Sequence, residues 1–381
     1  MSTAATTLEK LRNTPNLVDV INKILAEKFI YAKPVAEILA SAIYSKQNVI
    51  LYGPGGHGKS EMVECALEGL GLWNRQDPAN SSALIQSFGE GLTEDALWGG
   101  IDFRKLNSPT DPEMWFNVEN SFLRYPVAVF EELFDAPAFC LLPLKHTLQA
   151  KFLAKNGRSY PMQTELIIAC TNRNPDEIAE MGETYRALLE RFVLRQEVVW
   201  KSYNMSDYQK LLQKHPLASS ITNQNLKMLA SLMNECYEAG DFISPRTAMK
   251  AMDIVYGAAV SRGSKSIEPE DFAALTHVAG FQRAASTFLK QLESKLAEAE
   301  ARVAMEKVEQ EFHQAKQRLE SGSITKVVEW CMLSKLMLRI SDRFSELSVP
   351  DSLFERRGEF VQQCSEFSTH CLHKARDITR I

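Results

Sequence analysis

Residues 53–60 of this 381-residue chain read GPGGHGKS. The spacing is G-x-x-x-x-G-K-[ST], in which the glycines let backbone N–H groups wrap around a phosphate. Before it, NVILY at 48–52 is a β-branched apolar run that predicts a buried strand, and a helix is predicted over 59–71. A strand, a glycine-rich loop and a helix in this order predict a phosphate-binding loop, which we call the P-loop.

The chemistry of the P-loop predicts a site for ATP and Mg²⁺. Lys59 can neutralise charge on the β- and γ-phosphates, and the Ser60 hydroxyl can ligate Mg²⁺. We expect His57, at a varied position of the loop, to be exposed, and a contact to phosphate is the alternative. The predicted nucleotide-binding residues are Gly53, Pro54, Gly55, Gly56, His57, Gly58, Lys59, Ser60 and Glu61.

Two more predicted strands end in polar residues. PVAVF at 126–130 is followed by Glu131 and Glu132, and ELIIAC at 165–170 is followed closely by Asn172. The carboxyl ends of parallel strands face the nucleotide crevice of an α/β sheet. We therefore expect Glu131 to hold the water shell of Mg²⁺ and Glu132 to polarise the attacking water. Asn172 can orient that water, and a plain turn residue is the alternative.

Strands and helices alternate up to about residue 202, which predicts an α/β fold with a parallel sheet flanked by helices. Beyond it the chain shows only helical periodicity, and residues 285–320 follow 3-and-4 spacing as one long helix of a helical hairpin. The other predicted elements are helices over 5–30, 33–45, 324–345 and 353–378, a strand over 83–87 and a turn at 321–323. We predict three domains: an α/β nucleotide-binding domain (1–202), an all-α lid (203–282) and a C-terminal helical region (283–381).

Composition excludes several classes of protein. The formal net charge is −5, which disfavours a free nucleic-acid-binding protein. The seven cysteines form no CxxC pair, which indicates reduced thiols and disfavours a zinc site. No apolar run is long enough to span a membrane. We therefore expect a cytoplasmic protein.

The order of these motifs resembles the AAA+ ATPases, and within them the MoxR/RavA branch. The acidic pair is followed by Leu-Phe-Asp and then Ala-Pro, as in that branch. The resemblance covers residues 15–280 or so, whereas the last hundred residues resemble no family that we can name. The segments that carry it are GPGGHGKS (53–60), FGEGLTEDALWGGID (88–102), EELFDAP (131–137), ACTN (169–172), ALLERF (187–192) and SPR (244–246).

The resemblance implies a role for each matching residue. Glu132 would be the catalytic glutamate of the Walker B motif, and Asn172 would be sensor 1. Arg191 would be an arginine finger that reaches the γ-phosphate held by the neighbouring subunit, with Arg195 as a rival for that role. Arg246 would be sensor 2. A guanidinium stays charged and its planar fork fits phosphate oxygens, which agrees with these roles.

The family usually has Asp-Glu where this chain has Glu131 and Glu132. Mg²⁺ tolerates little distortion of its octahedral coordination, so the longer side chain of Glu131 predicts slow hydrolysis. The loop over 104–120 is expected to face the pore of a ring, where Trp115 and Phe116 either grip a client or pack against the core.

The resemblance implies a ring, with six subunits as the expected number, that couples hydrolysis of Mg-ATP to remodelling or activation of a protein client. In this family such partners often carry a von Willebrand factor A domain, and the C-terminal helical region would dock one. Two alternatives remain open at this point. One is a nucleic-acid-associated motor, and the other is an assembly scaffold with weak hydrolysis.

Overall fold

The structure is a computed structural model that describes residues 3–110, 113–200, 203–320 and 324–379. The chain divides into two compact units, Met1–Phe281 and Gln282–Ile381. The predicted turn at 321–323 lies outside the described residues. The finer division of the chain into three domains stays a prediction.

The first unit is built on a parallel sheet, as predicted. The strands of the first unit are β1 (Val49–Tyr52), β2 (Ala83–Ser87), β3 (Val127–Glu131), β4 (Phe152–Lys155), β5 (Arg158–Pro161), β6 (Leu166–Thr171) and β7 (Leu194–Glu197). Five of them form the sheet in the order β2-β3-β6-β1-β7, and every neighbouring pair is parallel. A separate antiparallel hairpin consists of β4 and β5.

The central strands are buried on both faces, as a parallel sheet covered by helices requires. Along β3 and β6 successive side chains enter two different apolar clusters: Val127 and Ile168 lie in one, whereas Phe130 and Ala169 lie in the other. The helices in this part of the first unit are α1 (Thr3–Arg12), α2 (Leu17–Ala26), α3 (Lys33–Ser45), α4 (Lys59–Gly69), α5 (Glu94–Trp98), α6 (Phe103–Leu106), α7 (Ala138–Ala150), α8 (Pro175–Glu180) and α9 (Glu183–Leu189).

The prediction of one helix over 5–30 is wrong. The chain forms α1 and α2 instead, separated at Pro15 and Asn16. Proline disfavours helical backbone at the residue before it, and Asn16 has a positive φ of 55°. The apolar periodicity continues through the break because both helices bury their apolar faces in the same cluster.

Two elements of the sheet region were not predicted. β7 reads LRQE and is half exposed at the edge of the sheet, so it lacks an apolar run. The β4–β5 hairpin turns at Asn156 and Gly157, which both have positive φ (53° and 72°). Asn-Gly between two extended runs is a strong hairpin signal, so this element was detectable from the sequence.

The rest of the first unit is helical, and over 203–281 the structure shows no strand. The elements are α10 (Met205–Leu212), α11 (Asn223–Glu238), α12 (Pro245–Ser261) and a 3₁₀ helix (Pro269–His277). At the start of α12, Ser244 accepts a hydrogen bond from Thr247 N (3.2 Å), and Pro245 occupies the first helical position.

The second unit consists of three long helices, α13 (Gln282–Glu320), α14 (Val327–Ser345) and α15 (Phe354–Thr379). Their apolar faces meet in one core, where Phe344 and Phe360 lie 4.2 Å apart between ring centroids. α13 joins this core from Ala301 onward. The long helix and the two returning helices predicted from the spacing are confirmed.

Candidate functional site: the P-loop end of the sheet

The P-loop connects β1 to α4, and close packing or positive φ angles require glycine at three of its positions. Gly56 and Gly58 have positive φ values of 80° and 79°. A Cβ atom on Gly53 would lie 2.5 Å from the carbonyl oxygen of Val198, and one on Gly56 would lie 2.6 Å from Ser244 Oγ. Other L residues would clash at these positions, so the loop can follow its path only with glycine there.

Lys59 is the first residue of α4, and only 6% of it is exposed. Its Nζ donates to the carbonyl oxygens of Gly53 (2.8 Å) and Pro54 (3.0 Å) and to Asn172 Oδ1 (2.8 Å). Burial lowers the pKa of Lys59, and the negative charge of Glu132 partly offsets this. The ammonium group is therefore held by neutral acceptors, at a place where a phosphate would supply negative charge.

Asn172 links Lys59 to Glu132. Its Nδ2 donates to Glu132 Oε1 (2.8 Å), and its backbone N–H donates to Glu132 Oε2 (3.3 Å). Glu132 has a left-handed backbone (φ 52°), directly after β3. Burial raises the pKa of the Glu132 carboxyl, and Asp135 and Glu131 act in the same direction. Lys59, Asn172 and Glu132 thus form one hydrogen-bonded chain across three strand ends.

Ser60 and Glu131 both lie beside Cys170. The Ser60 hydroxyl shares a hydrogen bond with the Cys170 thiol, and Glu131 is the register partner of Cys170 on the adjacent strand. Burial raises the pKa of Cys170 to about 12, so the thiol stays protonated. Ser87 Oγ donates to Glu131 Oε2 (2.8 Å). A hydroxyl and a carboxylate at this place are hard oxygen donors that fit Mg²⁺.

The arginines fall into two groups. Arg246 lies at the P-loop, because its backbone N–H donates to Gly56 O (3.0 Å). Arg191 instead donates to Ala187 O (3.0 Å) and Gln149 Oε1 (2.8 Å), and Arg195 donates to Phe192 O (3.2 Å). The structure therefore brings Arg246 to the predicted nucleotide site and ties Arg191 and Arg195 to other elements.

His57 is buried, with 2% exposure, so the expectation of an exposed side chain is wrong. Its Nε2 lies 2.7 Å from the hydroxyl of Tyr203, and its ring stacks on Phe242. Burial lowers the pKa of His57. Aromatic residues that come far later in the chain cover it, which no local pattern around 53–60 could reveal.

A cavity of about 460 Å³ opens beside Gly56, His57 and Gly58. Sequence reasoning missed most of its lining, because the residues come from segments far apart in the chain and no local motif marks them. Glu61 also lines it, and its role in nucleotide binding stays a prediction. The lining also includes Phe29, Ile30, Trp200, Leu211, His215, Pro216, Met249 and Asp253.

Trp115 and Phe116 pack against the β4–β5 hairpin, the second of the two alternatives. The guanidinium of Arg158 lies 4.0 Å from the Trp115 ring centroid, and Lys155 Nζ lies 4.3 Å from that of Phe116. Phe116 is 8% exposed. In the same region the exposed aromatic residue is Phe103, at 66%.

A family model matches residues 15–232, more than half of the chain, and describes the MoxR domain in the MoxR-vWA-beta-propeller ternary systems. The chain belongs to this MoxR family of AAA+ ATPases. The parallel sheet with its P-loop agrees with an AAA+ core, as the resemblance implied, and the C-terminal region is helical, as its sequence predicted.

Two solved structures match the chain at low sequence identity. Thermotoga maritima RuvB, as its P216G mutant, is 12% identical, with 66% of this chain and 71% of that chain covered and a TM-score of 0.44. A Cytophaga hutchinsonii protein described provisionally as an ATPase is 14% identical, with 76% and 97% covered and a TM-score of 0.37. No curated protein matches the chain. The family assignment rests on the family model.

Two classes of site are absent from the described residues. No group of three or more His, Cys, Asp or Glu side chains there is arranged to hold a metal ion. No helix described in the structure has the length and apolar character needed to cross a membrane.

Proposed function

We propose that this MoxR-like protein hydrolyses Mg-ATP and that it does so in a ring of subunits that remodels or activates a protein client. The observation that carries the proposal is the chain of hydrogen bonds from Lys59 through Asn172 to Glu132. It joins a buried cation, an amide and a carboxylate of raised pKa at the P-loop end of the sheet. Those are the groups that phosphoryl transfer to water requires.

Binding of ATP would rearrange this chain. Phosphate oxygens are charged acceptors and bind an ammonium group more strongly than the amide oxygen of Asn172 does. Lys59 Nζ then turns to the phosphates, and Asn172 is left to hold Glu132 and the attacking water. Glu132 accepts a proton from that water as the water oxygen bonds to the γ-phosphorus and the bond to the bridging oxygen breaks, which releases ADP and phosphate. Ser60 and Glu131 would hold the Mg²⁺ ion, which neutralises phosphate charge.

Arg191 would make hydrolysis depend on assembly of the subunits into a ring. Its side chain hydrogen-bonds to Ala187 and Gln149 of its own chain, and it is a quarter exposed. We propose that it contacts the γ-phosphate held by a neighbouring subunit in a hexameric ring. An arginine supplied in this way raises the rate of hydrolysis by about 10³–10⁵. Arg246, held against Gly56, would contact the γ-phosphate within its own chain.

The family assignment supports a choice of protein partner. Its model is named for systems that combine MoxR, von Willebrand factor A and β-propeller proteins. We propose that a protein with a von Willebrand factor A domain is the client or adaptor and that it binds the second unit. The exposed apolar residues Val328 (63%) and Met332 (66%) on α14 support a binding role for this unit. The seven cysteines are free thiols, which supports a cytoplasmic location.

Phosphate release, compared between the wild-type protein and Glu132→Gln, tests the enzymatic part. We expect the wild type to release phosphate and the variant to bind ATP without turnover. Identical phosphate-release traces for the two proteins would contradict hydrolysis. They would favour the second candidate function, an assembly scaffold, which Glu131 also favours. Glu131→Asp, which restores the usual carboxylate, should keep or raise the rate. Loss of activity in a folded Glu131→Asp protein would contradict the role given to Glu131.

The partner is tested with the Glu132→Gln variant, which should remain in its ATP state. We expect it to retain a purified von Willebrand factor A protein encoded with it in ATP but not without nucleotide. Met332→Glu in the same background should weaken this retention, while the exposed Lys335→Glu on α14 serves as a charge control. Equal retention of the partner by Glu132→Gln alone and by its Met332→Glu and Lys335→Glu derivatives would contradict docking on α14.

A further inference from the structure

The side chain of His57 connects the P-loop to the helical part of the first unit. Nδ1 lies 3.1 Å from Pro54 O and 3.2 Å from Gly55 O, and Nε2 lies 2.7 Å from the hydroxyl of Tyr203. Carbonyl oxygens only accept hydrogen bonds, so Nδ1 carries a proton. Burial lowers the pKa of His57 and favours the neutral imidazole, in which Nε2 accepts from the Tyr203 hydroxyl.

Two aromatic residues continue the connection. The Phe242 ring stacks on His57, with centroids 5.7 Å apart and planes at 11°, and Tyr203 packs edge-on to Phe242 at 4.8 Å. Phe242 lies two residues before Ser244, the N-cap of α12, and Arg246 follows in the first turn of that helix. The position of His57 is thus linked, through contacts of known distance, to the start of the helix that carries Arg246.

The P-loop itself contacts the same helix start. Arg246 N donates to Gly56 O (3.0 Å), and a Cβ on Gly56 would collide with Ser244 Oγ. Pro54 O accepts from both His57 Nδ1 and Lys59 Nζ. Lys59, which would bind the phosphates, therefore shares the backbone acceptor Pro54 O with His57. His57 in turn contacts the residues that precede Arg246.

We propose that His57 is a positioning residue: through Tyr203 and Phe242 it fixes the start of α12 so that Arg246 meets the γ-phosphate of a bound nucleoside triphosphate. This inference rests on the proposed function, because it takes ATP as the ligand and Arg246 as a γ-phosphate contact. His57 acts without touching the phosphate. It therefore contributes to the distinction between ATP and ADP rather than to binding of the nucleotide as such.

The decisive measurement is the ratio of ATP to ADP affinity, taken in the Glu132→Gln background so that hydrolysis does not disturb the equilibrium. Tyr203→Phe removes the hydroxyl that donates to His57 and keeps the ring. We expect it to weaken ATP binding about fivefold, the effect of one typical hydrogen bond, and to leave ADP binding nearly unchanged. Tyr237→Phe, a hydroxyl removed from the same aromatic cluster without a bond to His57, is the matched control.

Two substitutions of His57 separate its two hydrogen bonds. His57→Asn keeps a donor for Pro54 O but is too short for Tyr203, so it should lower the ATP-to-ADP ratio as Tyr203→Phe does. His57→Gln carries an acceptor to the position of Nε2 and should restore most of the ratio. If Asn preserved the ratio and Gln lost it, the contact to Tyr203 would not be the one that matters.

Coupling to Arg246 completes the test. Arg246→Ala should itself lower the ATP-to-ADP ratio, and adding Tyr203→Phe should then have no further effect, because both act through the same contact. Equal weakening of ATP and ADP by Tyr203→Phe, or effects that add in the double variant, would overturn the inference. A protein that binds ATP and never hydrolyses it would contradict the proposed enzyme but leave the inference standing. A protein that binds neither nucleotide would overturn both.

Discussion

The P-loop end of the sheet and the C-terminal three-helix unit bury polar groups in opposite ways. Around the P-loop, Lys59 and His57 are nearly inaccessible, and each makes three hydrogen bonds. In the three-helix unit the buried polar residues that the structure describes are serines, with Ser334 and Ser368 bonded to each other at 2.8 Å. The charges of that unit pair on its surface, as Arg343 does with Glu311.

This difference in buried polar groups indicates which region of the chain contains a destabilising buried charge. Burying a cation is unfavourable unless it is paired, and Lys59 has mainly neutral acceptors. A ligand that supplies negative charge there compensates for that burial. Nothing comparable is buried among the described residues of the three-helix unit, whose core is apolar. Chemistry is therefore expected in the first unit, and packing and partner binding in the second.

The largest effect should come from Arg191→Ala, which tests whether the first unit is chemically complete on its own. If Arg191 serves a neighbouring subunit, hydrolysis should fall by about 10³ or more in the assembled protein. Mixing this variant with Glu132→Gln should recover activity at those sites where one subunit supplies an intact Glu132 and its neighbour supplies an intact Arg191. Arg195→Ala is the matched control, and a loss confined to Arg195→Ala would transfer the role to that residue.

Glu132→Gln should lower hydrolysis by about 10²–10⁴, the usual contribution of a general base. The pH dependence of the wild-type rate carries a second signature. Burial raises the pKa of Glu132, and the carboxylate is the active form, so the rate should fall on acidification at a higher pH than an exposed glutamate would give. An acid limb at the position of an ordinary glutamate, near pH 4.3, would contradict this assignment.

Much of the first unit could be predicted because its signals are local. GPGGHGKS and the apolar runs of β1, β3 and β6 specify their own conformation, and the four predicted strands are confirmed. β7 could not be predicted, because an edge strand with half-exposed polar residues has no apolar pattern. The break between α1 and α2 was missed, although Pro15 signals it.

The candidate site divides in the same way. Lys59, Glu132 and Asn172 come from motifs at strand ends, and parallel strands bring those ends together. The surroundings of His57 and the cavity beside it depend on how α12 and the segments around Trp200 and Phe29 pack on the P-loop. Such packing is set by tertiary contacts between distant segments, and no short sequence pattern encodes it.

Phe344→Ala tests whether the two units are energetically separate. Phe344 is fully buried and its ring packs against that of Phe360, so truncation should destabilise the three-helix unit by about 3–5 kcal/mol. Because the units are compact on their own, ATP affinity should stay unchanged. Thermal unfolding followed with and without ATP measures both quantities. A loss of ATP affinity parallel to the loss of stability would show that the units unfold together.

Arg343→Ala should have the smallest effect, and it asks whether surface charge pairs stabilise the three-helix unit. Arg343 contacts Glu311 through two nitrogens, at 2.6 and 3.2 Å, but both side chains are about half exposed. Water and salt screen such a pair, so its loss should change the unfolding free energy only slightly. Urea unfolding in low and high salt measures it, with Arg339→Ala on the same helix as control. A loss as large as that of Phe344→Ala would mean that this pair, and not the apolar core alone, holds α13 to α14.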